Sequence, residues 1–269
     1  MADILTVLGG PWGWRWDVGA VLGLAALTYI GGWVRLRRQG FRRLARYRPL
    51  VAYLAGLVTI AVALMSPIDT LQALLFFVHM FQHQLLIYLA PPLLLAGRAL
   101  PFTMWGLPAL LRARIGMMLT PTGWVRRVLK GLTHPAVAFA LSTGILWLWH
   151  LPAAYNAVLV NGLIHDIQHL TFFGSALLYW WALIDSPPQR AWITSNGGRG
   201  LYLALGAVQS AILGGLITFA DRVLYTNYLL VPRLGGISAL TDQQVAGALM
   251  WFPGPLIFGL AAALVMREE

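Results

Sequence analysis

The sequence contains no cysteine and very few charged residues. Without cysteine, disulfides, thiolate redox chemistry, Cys-ligated zinc and iron–sulfur clusters are excluded, so any metal is left to His, Met, carboxylate or backbone ligands. Charged residues make up 10% of the 269 positions, against about 25% in soluble domains, and 59% of the positions are hydrophobic. This composition excludes a water-soluble globule and a disordered chain. It makes a membrane, rather than nucleic acid, the first explanation of the net charge of +10.

Long apolar runs predict an all-α, polytopic helical bundle. A helix that crosses a bilayer needs about 20 mostly apolar residues, and seven runs of that kind occur. We predict a single transmembrane domain over residues 1–269 with spans near 18–34, 49–65, 71–97, 135–151, 163–184, 201–220 and 245–266. Pro91 and Pro92 fall inside the third run, where the loss of two backbone donors predicts a kink or an end of the helix. Residues 98–134 hold only shorter apolar stretches, which we interpret as interfacial or re-entrant pieces, with an eighth crossing as the alternative.

The basic residues are distributed unequally between the predicted loops. With seven crossings, 16 of the 19 Lys and Arg residues fall on one face, and only Arg15, Arg222 and Arg233 fall on the other. Short cytoplasmic loops carry the excess of Lys and Arg in membrane proteins. We therefore predict that the N-terminus lies outside and the C-terminus lies in the cytoplasm.

Histidines are the residues most indicative of a function. Two pairs are spaced four residues apart, which puts two rings on one helix face about 6 Å apart, close enough to share a metal ion. A polar ring inside a span is costly and usually faces the bundle interior with a partner. On the predicted topology five of the six histidines face the extracytoplasmic side, namely His79, His83, His150, His165 and His169. They form a candidate site for a metal or haem.

Two features of this pattern leave alternatives open. One alternative is that the histidines are simply hydrogen-bonded across helices, with Gln82 and Gln168 as partners. His79 and His83 also lie about 12–18 Å into their run, whereas the other three are shallow. A single common site therefore requires the third helix to project outward, and otherwise there are two sites.

Methionines are the second set of candidate ligands. Thioether and imidazole together favour copper, particularly Cu(I), although methionine is also an ordinary core residue. Met250, early in the seventh run, is the preferred candidate, ahead of Met65 and Met80. The predicted metal ligands are thus His79, His83, His150, His165, His169 and Met250.

Four segments carry a resemblance to a known family. LFFVHMFQHQLLIYLAPPLLLAG (75–97), HPAVAFALSTGILWLWHLPAAYNAVL (134–159), HDIQHLTFFGSALLYWW (165–181) and LTDQQVAGALMWFPG (240–254) resemble the CtaG family of cytochrome c oxidase assembly factors. The resemblance extends from about residue 50 to the end, and Gln84 departs from the pattern, which favours an apolar residue or Met there. It implies a multi-span membrane protein needed to build a haem–copper oxidase, with a role in copper delivery. It also implies that the five histidines and Met250 are the family's polar constellation.

We therefore expect an assembly factor, not an enzyme, in the plasma (inner) membrane of a bacterium. It is expected to bind copper on the extracytoplasmic side and to deliver it to cytochrome c oxidase subunits. The expected partners are those subunits and membrane lipids, not nucleic acid, and a homo-oligomer is left open. The alternatives are a membrane oxidoreductase that binds haem or another transition metal in a dimetal centre, and a metal-free scaffold that docks oxidase subunits.

Overall fold

The computed structural model of the protein describes residues 15–251, and most of these residues lie in helices. No strand occurs in that range, where Ser186 and Gln189 form an isolated bridge. The helices are α1 (Trp16–Arg38), α2 (Tyr47–Met65), α3 (Pro67–Leu71), α4 (Phe76–Gln84), a π-helical turn (Leu85–Leu89), α5 (Ala90–Ala96), α6 (Ala99–Gly106), α7 (Ala109–Met118), α8 (Trp124–Leu132), α9 (Pro135–Trp149), α10 (Pro152–Val160), α11 (Gly162–Trp181), α12 (Asn196–Thr218), a 3-10 turn (Thr226–Leu229) and α13 (Ala239–Trp251). The prediction of an all-helical fold is confirmed.

Three of these segments are long and apolar enough to cross a membrane. They are α1, the continuous segment Tyr47–Leu71 and α12. Two pairs of helices joined by a sharp bend would raise the number of candidate spans to five if each pair is one broken span. These pairs are Phe76–Ala96 with α6, bent by 66°, and α8 with α9, bent by 68°. The predicted span 245–266 lies outside the described residues beyond Trp251. The structure therefore gives three to five candidate spans, and seven crossings stay a prediction.

The proline pair does not end the third predicted span. Pro91 cannot donate the hydrogen bond that the carbonyl of Ile87 would accept in a regular α-helix. The helix widens into the π turn just before this point, and the Trp180 indole of α11 donates to the Ile87 carbonyl at 2.9 Å. The freed backbone acceptor is thus satisfied by a neighbouring helix, and the sharp bend comes later, between Ala96 and Ala99.

Among the described residues, buried side chains form two large clusters and a small third one of Leu75, Val78 and Leu234. One joins α1, α2 and α6, and there Gly32 and Gly106 allow the backbones of α1 and α6 to touch. A Cβ atom on Gly32 would lie 1.7 Å from the Phe102 carbonyl oxygen, and one on Gly106 would lie 1.8 Å from that of Thr28. The second, larger cluster is built from α4, α5 and α9–α13. All five histidines named above lie on or at the ends of helices of this second cluster.

Candidate metal centre

The start of α4 determines where the first histidine pair lies. After α3 the chain turns, and α4 begins at Phe76, where the buried Asp242 carboxylate of α13 accepts hydrogen bonds from the Phe76 and Phe77 amides at 3.0 and 2.9 Å. His79 therefore lies in the first turn of α4. A single helix starting at residue 71 would place His79 and His83 about 12–18 Å below its start. This predicted depth is wrong, because α3 and the turn after it occupy the first residues of that run.

Three histidines from two helices form the centre of the site. His79 and His83 of α4 and His169 of α11 each offer a ring nitrogen, and these three nitrogens lie within 4.8 Å of one another. The rings are buried, with exposures of 0%, 2% and 6%. We call these three residues the triad. The i, i+4 spacing of His79 and His83 puts their ring centroids 4.4 Å apart, as the sequence pattern predicts.

The other two predicted histidines flank the triad on opposite sides. His165 is half-buried, and its ring centroid lies 4.1 Å from that of His169 and 5.1 Å from that of His79. His150, at the end of α9, is buried, and its ring centroid lies 6.4 Å from that of His83. All five rings therefore form one histidine cluster, as the single-site alternative requires. His134, the sixth histidine, packs instead against Trp192 at a ring distance of 5.1 Å.

Five of the ten ring nitrogens of the cluster are buried with no hydrogen-bond partner among the described residues. This holds for Nε2 of His79, His165 and His169 and for both nitrogens of His83. Leaving one buried polar atom unpaired costs about 1–3 kcal/mol, so several in one place need a compensating ligand. Gln82 does not supply one, because its amide donates to the Ala63 carbonyl and to Asp69 at 2.8 and 2.9 Å. The prediction that Gln82 pairs with a histidine is wrong.

Two tyrosines set the orientation of the His79 ring. Nδ1 of His79 lies 2.7 Å from the Tyr155 hydroxyl and 3.3 Å from the Tyr228 hydroxyl. Tyr228 donates its own proton to the Gln72 carbonyl at 3.0 Å, and burial raises the pKa of Tyr228 above its usual value. Its oxygen can then accept from His79 only in the tautomer that carries the imidazole proton on Nδ1, and this tautomer leaves the Nε2 lone pair for a ligand, as in many metal sites.

The other residues near the candidate site have contacts of their own. Met250 is buried where α13 packs against Gly214 of α12, and among the described residues no hydrogen bond joins its sulphur to a histidine. Its role as a ligand stays a prediction. Asp166, between the two histidines of α11, pairs with Arg15 at 2.8 Å. The sequence gives no signal for Tyr228, because it lies in a short 3-10 turn with no periodic pattern, and Tyr155 lies in α10.

These donors fit a transition-metal ion that prefers nitrogen. Nitrogens bound to one tetrahedral ion at about 2.0–2.1 Å lie about 3.3–3.4 Å apart, so the triad has to contract from its spacing of up to 4.8 Å. Phe172, at 4.7 Å from the His83 ring, forms an apolar wall. Such a wall excludes water and strengthens the binding of an ion by neutral imidazoles.

Together, the apolar helices and the buried histidine cluster define a membrane protein with a candidate metal centre. The family model of the cytochrome c oxidase caa3 assembly factors (Caa3_CtaG) matches residues 27–268. The chain belongs to this family, as the resemblance in the sequence predicts.

Comparison with individual proteins adds relatives but no solved structure. The chain is 27% identical over 247 residues to an uncharacterised protein of Mycobacterium leprae, covering 88% of this chain and 36% of that one. It is 26% identical over 260 residues to an uncharacterised protein of Mycobacterium bovis, covering 93% and 37%. The chain thus spans little more than a third of the length of these relatives. No solved structure matches it.

Proposed function

We propose that this assembly factor binds copper in its histidine cluster and delivers the ion to cytochrome c oxidase. The observation that carries the proposal is the triad: three buried imidazoles whose nitrogens lie within 4.8 Å of one another and largely lack other partners. Membership of an oxidase assembly family supplies the destination. A haem–copper oxidase needs copper inserted into a protein within the membrane, and a buried set of neutral nitrogen donors suits that cargo.

The distribution of charge supports a topology with the cluster on the extracytoplasmic side. We propose seven crossings of the plasma membrane of a bacterium, with the N-terminus outside and the C-terminus in the cytoplasm. Sixteen of 19 basic residues then lie on the cytoplasmic face. In this orientation the N-terminal ends of α4 and α11 face outward, and these two helices carry four of the five histidines.

Half-buried His165 is the point of entry that this arrangement favours. It is the most exposed ring of the cluster, and the Arg15–Asp166 ion pair lies beside it. An ion that reaches His165 meets His169 and His79 next, at ring distances of 4.1 and 5.1 Å. Open coordination by imidazoles of separate helices also allows release, which a closed structural site would oppose.

Copper content tests the proposal directly. Full-length protein is purified in detergent, loaded with copper, desalted and subjected to elemental analysis. We expect stoichiometric copper in the wild type and loss of copper in the His79→Ala/His83→Ala variant. His134→Ala is the matched control, because this histidine packs on Trp192 away from the cluster.

Each result has a defined meaning. Unchanged copper in the double variant, with the control intact, contradicts the proposal. A Soret band in the wild type without copper points to a haem protein. Absence of every metal from a folded wild type leaves the metal-free scaffold.

A further inference from the structure

His150 presents a lone pair to the protein interior. Its Nδ1 atom lies 2.7 Å from the Leu146 carbonyl oxygen, one turn earlier in the chain. A carbonyl oxygen only accepts hydrogen bonds, so Nδ1 carries the imidazole proton. Nε2 is therefore unprotonated and free to act as a ligand.

The atom that faces this lone pair is a sulphur. Nε2 of His150 lies 3.4 Å from Sδ of Met80, and both residues are buried, with exposures of 5% and 1%. A thioether has no proton to donate, so no hydrogen bond joins the two atoms. Two ligand atoms bound at about 2.0 and 2.3 Å to one tetrahedral ion lie about 3.5 Å apart. The observed separation is close to that value without any movement of the side chains.

His83 connects this pair of atoms to the triad. Met80 and His83 are three residues apart on α4 and so lie on neighbouring positions of one face. The His83 ring centroid is 4.4 Å from that of His79 on one side and 6.4 Å from that of His150 on the other. Both of its nitrogens lack hydrogen-bond partners. His83 can therefore bind an ion in the triad or an ion held by Met80 and His150.

We propose that Met80 and His150, together with His83, form a second, inner coordination site that selects Cu(I). Thioether sulphur is a soft donor that favours Cu(I) and is a poor ligand for Zn(II), whereas the all-imidazole triad accepts either ion. The inference rests on the proposed function for the nature of the cargo. It adds an order of events: an ion bound by the triad moves through His83 to the inner site, and ions that do not bind sulphur are left behind.

The experiment replaces the Met80 thioether with an apolar side chain of similar volume. Met80→Leu is compared with Met104→Leu, a control at a half-buried methionine of α6, because Met-to-Leu exchange is well tolerated in cores. Full-length protein is titrated with Cu(I) against a chromophoric chelator without oxygen, and separately with Zn(II). Copper X-ray absorption of the loaded protein reports whether sulphur is bound.

We expect a sulphur scatterer in the wild type and in Met104→Leu but not in Met80→Leu. Cu(I) affinity is expected to fall at least about tenfold in Met80→Leu, the effect of losing one good ligand, while its Zn(II) affinity stays within about twofold of the wild type. A wild-type spectrum with nitrogen ligands only, or unchanged Cu(I) affinity in Met80→Leu, overturns the inner site and leaves the triad standing. Failure of the wild type to bind either ion overturns the proposed function itself.

Discussion

The tyrosine hydroxyls beside His79 are expected to control the copper affinity of the triad. Tyr155→Phe removes the 2.7 Å contact to Nδ1 and leaves the 3.3 Å contact to Tyr228. The double variant with Tyr228→Phe leaves a buried N–H group unpaired, so the ring can turn or adopt the other tautomer. Hydrogen bonds to metal-binding histidines are typically worth about 10–100-fold in affinity, or about 1.4–2.7 kcal/mol. We expect a loss in this range for the double variant and a smaller loss for each single variant.

The assay is a competition titration of copper against a chromophoric chelator in detergent. Tyr29→Phe is the matched control, because its hydroxyl is also buried and donates to the Gly97 carbonyl at 2.7 Å, in the other side-chain cluster. This control is expected to bind copper like the wild type. Copper affinity of the double variant within about twofold of the wild type would refute the assignment of the His79 tautomer and the role given to Nε2.

Three further predictions concern the fold. Gly32→Ala is expected to destabilise the protein by about 1–3 kcal/mol, because the new Cβ atom would meet the backbone of α6. Gly31→Ala, whose Cβ atom would have nothing within 4 Å, is expected to leave the stability unchanged. Equal thermal unfolding midpoints of the two variants would contradict the close contact of α1 and α6. Asp242→Asn is expected to lower both the thermal unfolding midpoint and the copper affinity, because the carboxylate accepts hydrogen bonds from the Phe76 and Phe77 amides at the start of α4. Unchanged copper affinity would show that this cap does not position the triad. The chain has no cysteine, so Thr120→Cys and Leu230→Cys each provide a single labelling site, on the cytoplasmic and the outer side of the proposed topology. A membrane-impermeant maleimide should label only Leu230→Cys in spheroplasts. Labelling of Thr120→Cys alone would show that the topology is inverted.

The histidine cluster was predictable from the sequence because its cause is local and energetic. A spacing of four residues puts two rings on one helix face whatever the fold, and His79–His83 and His165–His169 obey it at 4.4 and 4.1 Å. The cost of polar groups in apolar helices then favours their meeting in the interior. These two rules predicted a histidine site in the interior but left open whether the two pairs share one site or form two.

The depth of the first pair was not predictable, because it depends on contacts distant in sequence. Asp242 caps α4 from 166 residues away and fixes the start of the helix at Phe76. Tyr228 likewise reaches His79 from a loop 149 residues further on. Hydrophobic periodicity carries no information on such contacts.

The contact of Met80 with His150 was not predictable from the sequence for a similar reason. Met80 and Met250 are both buried, and both lie in apolar helical patterns that predict core positions. Only the arrangement of the helices shows that the Met80 sulphur, at 3.4 Å, faces the His150 ring.

The copper content of the oxidase itself tests the central claim most directly. Cytochrome c oxidase is purified from cells whose only copy of this protein is the wild type, His79→Ala/His83→Ala or His134→Ala, and its ratio of copper to haem is measured. We predict an oxidase that contains haem but little copper in the double variant, and a normal ratio with the wild type and with His134→Ala. An oxidase with its full copper content in the double variant would contradict copper delivery through the triad.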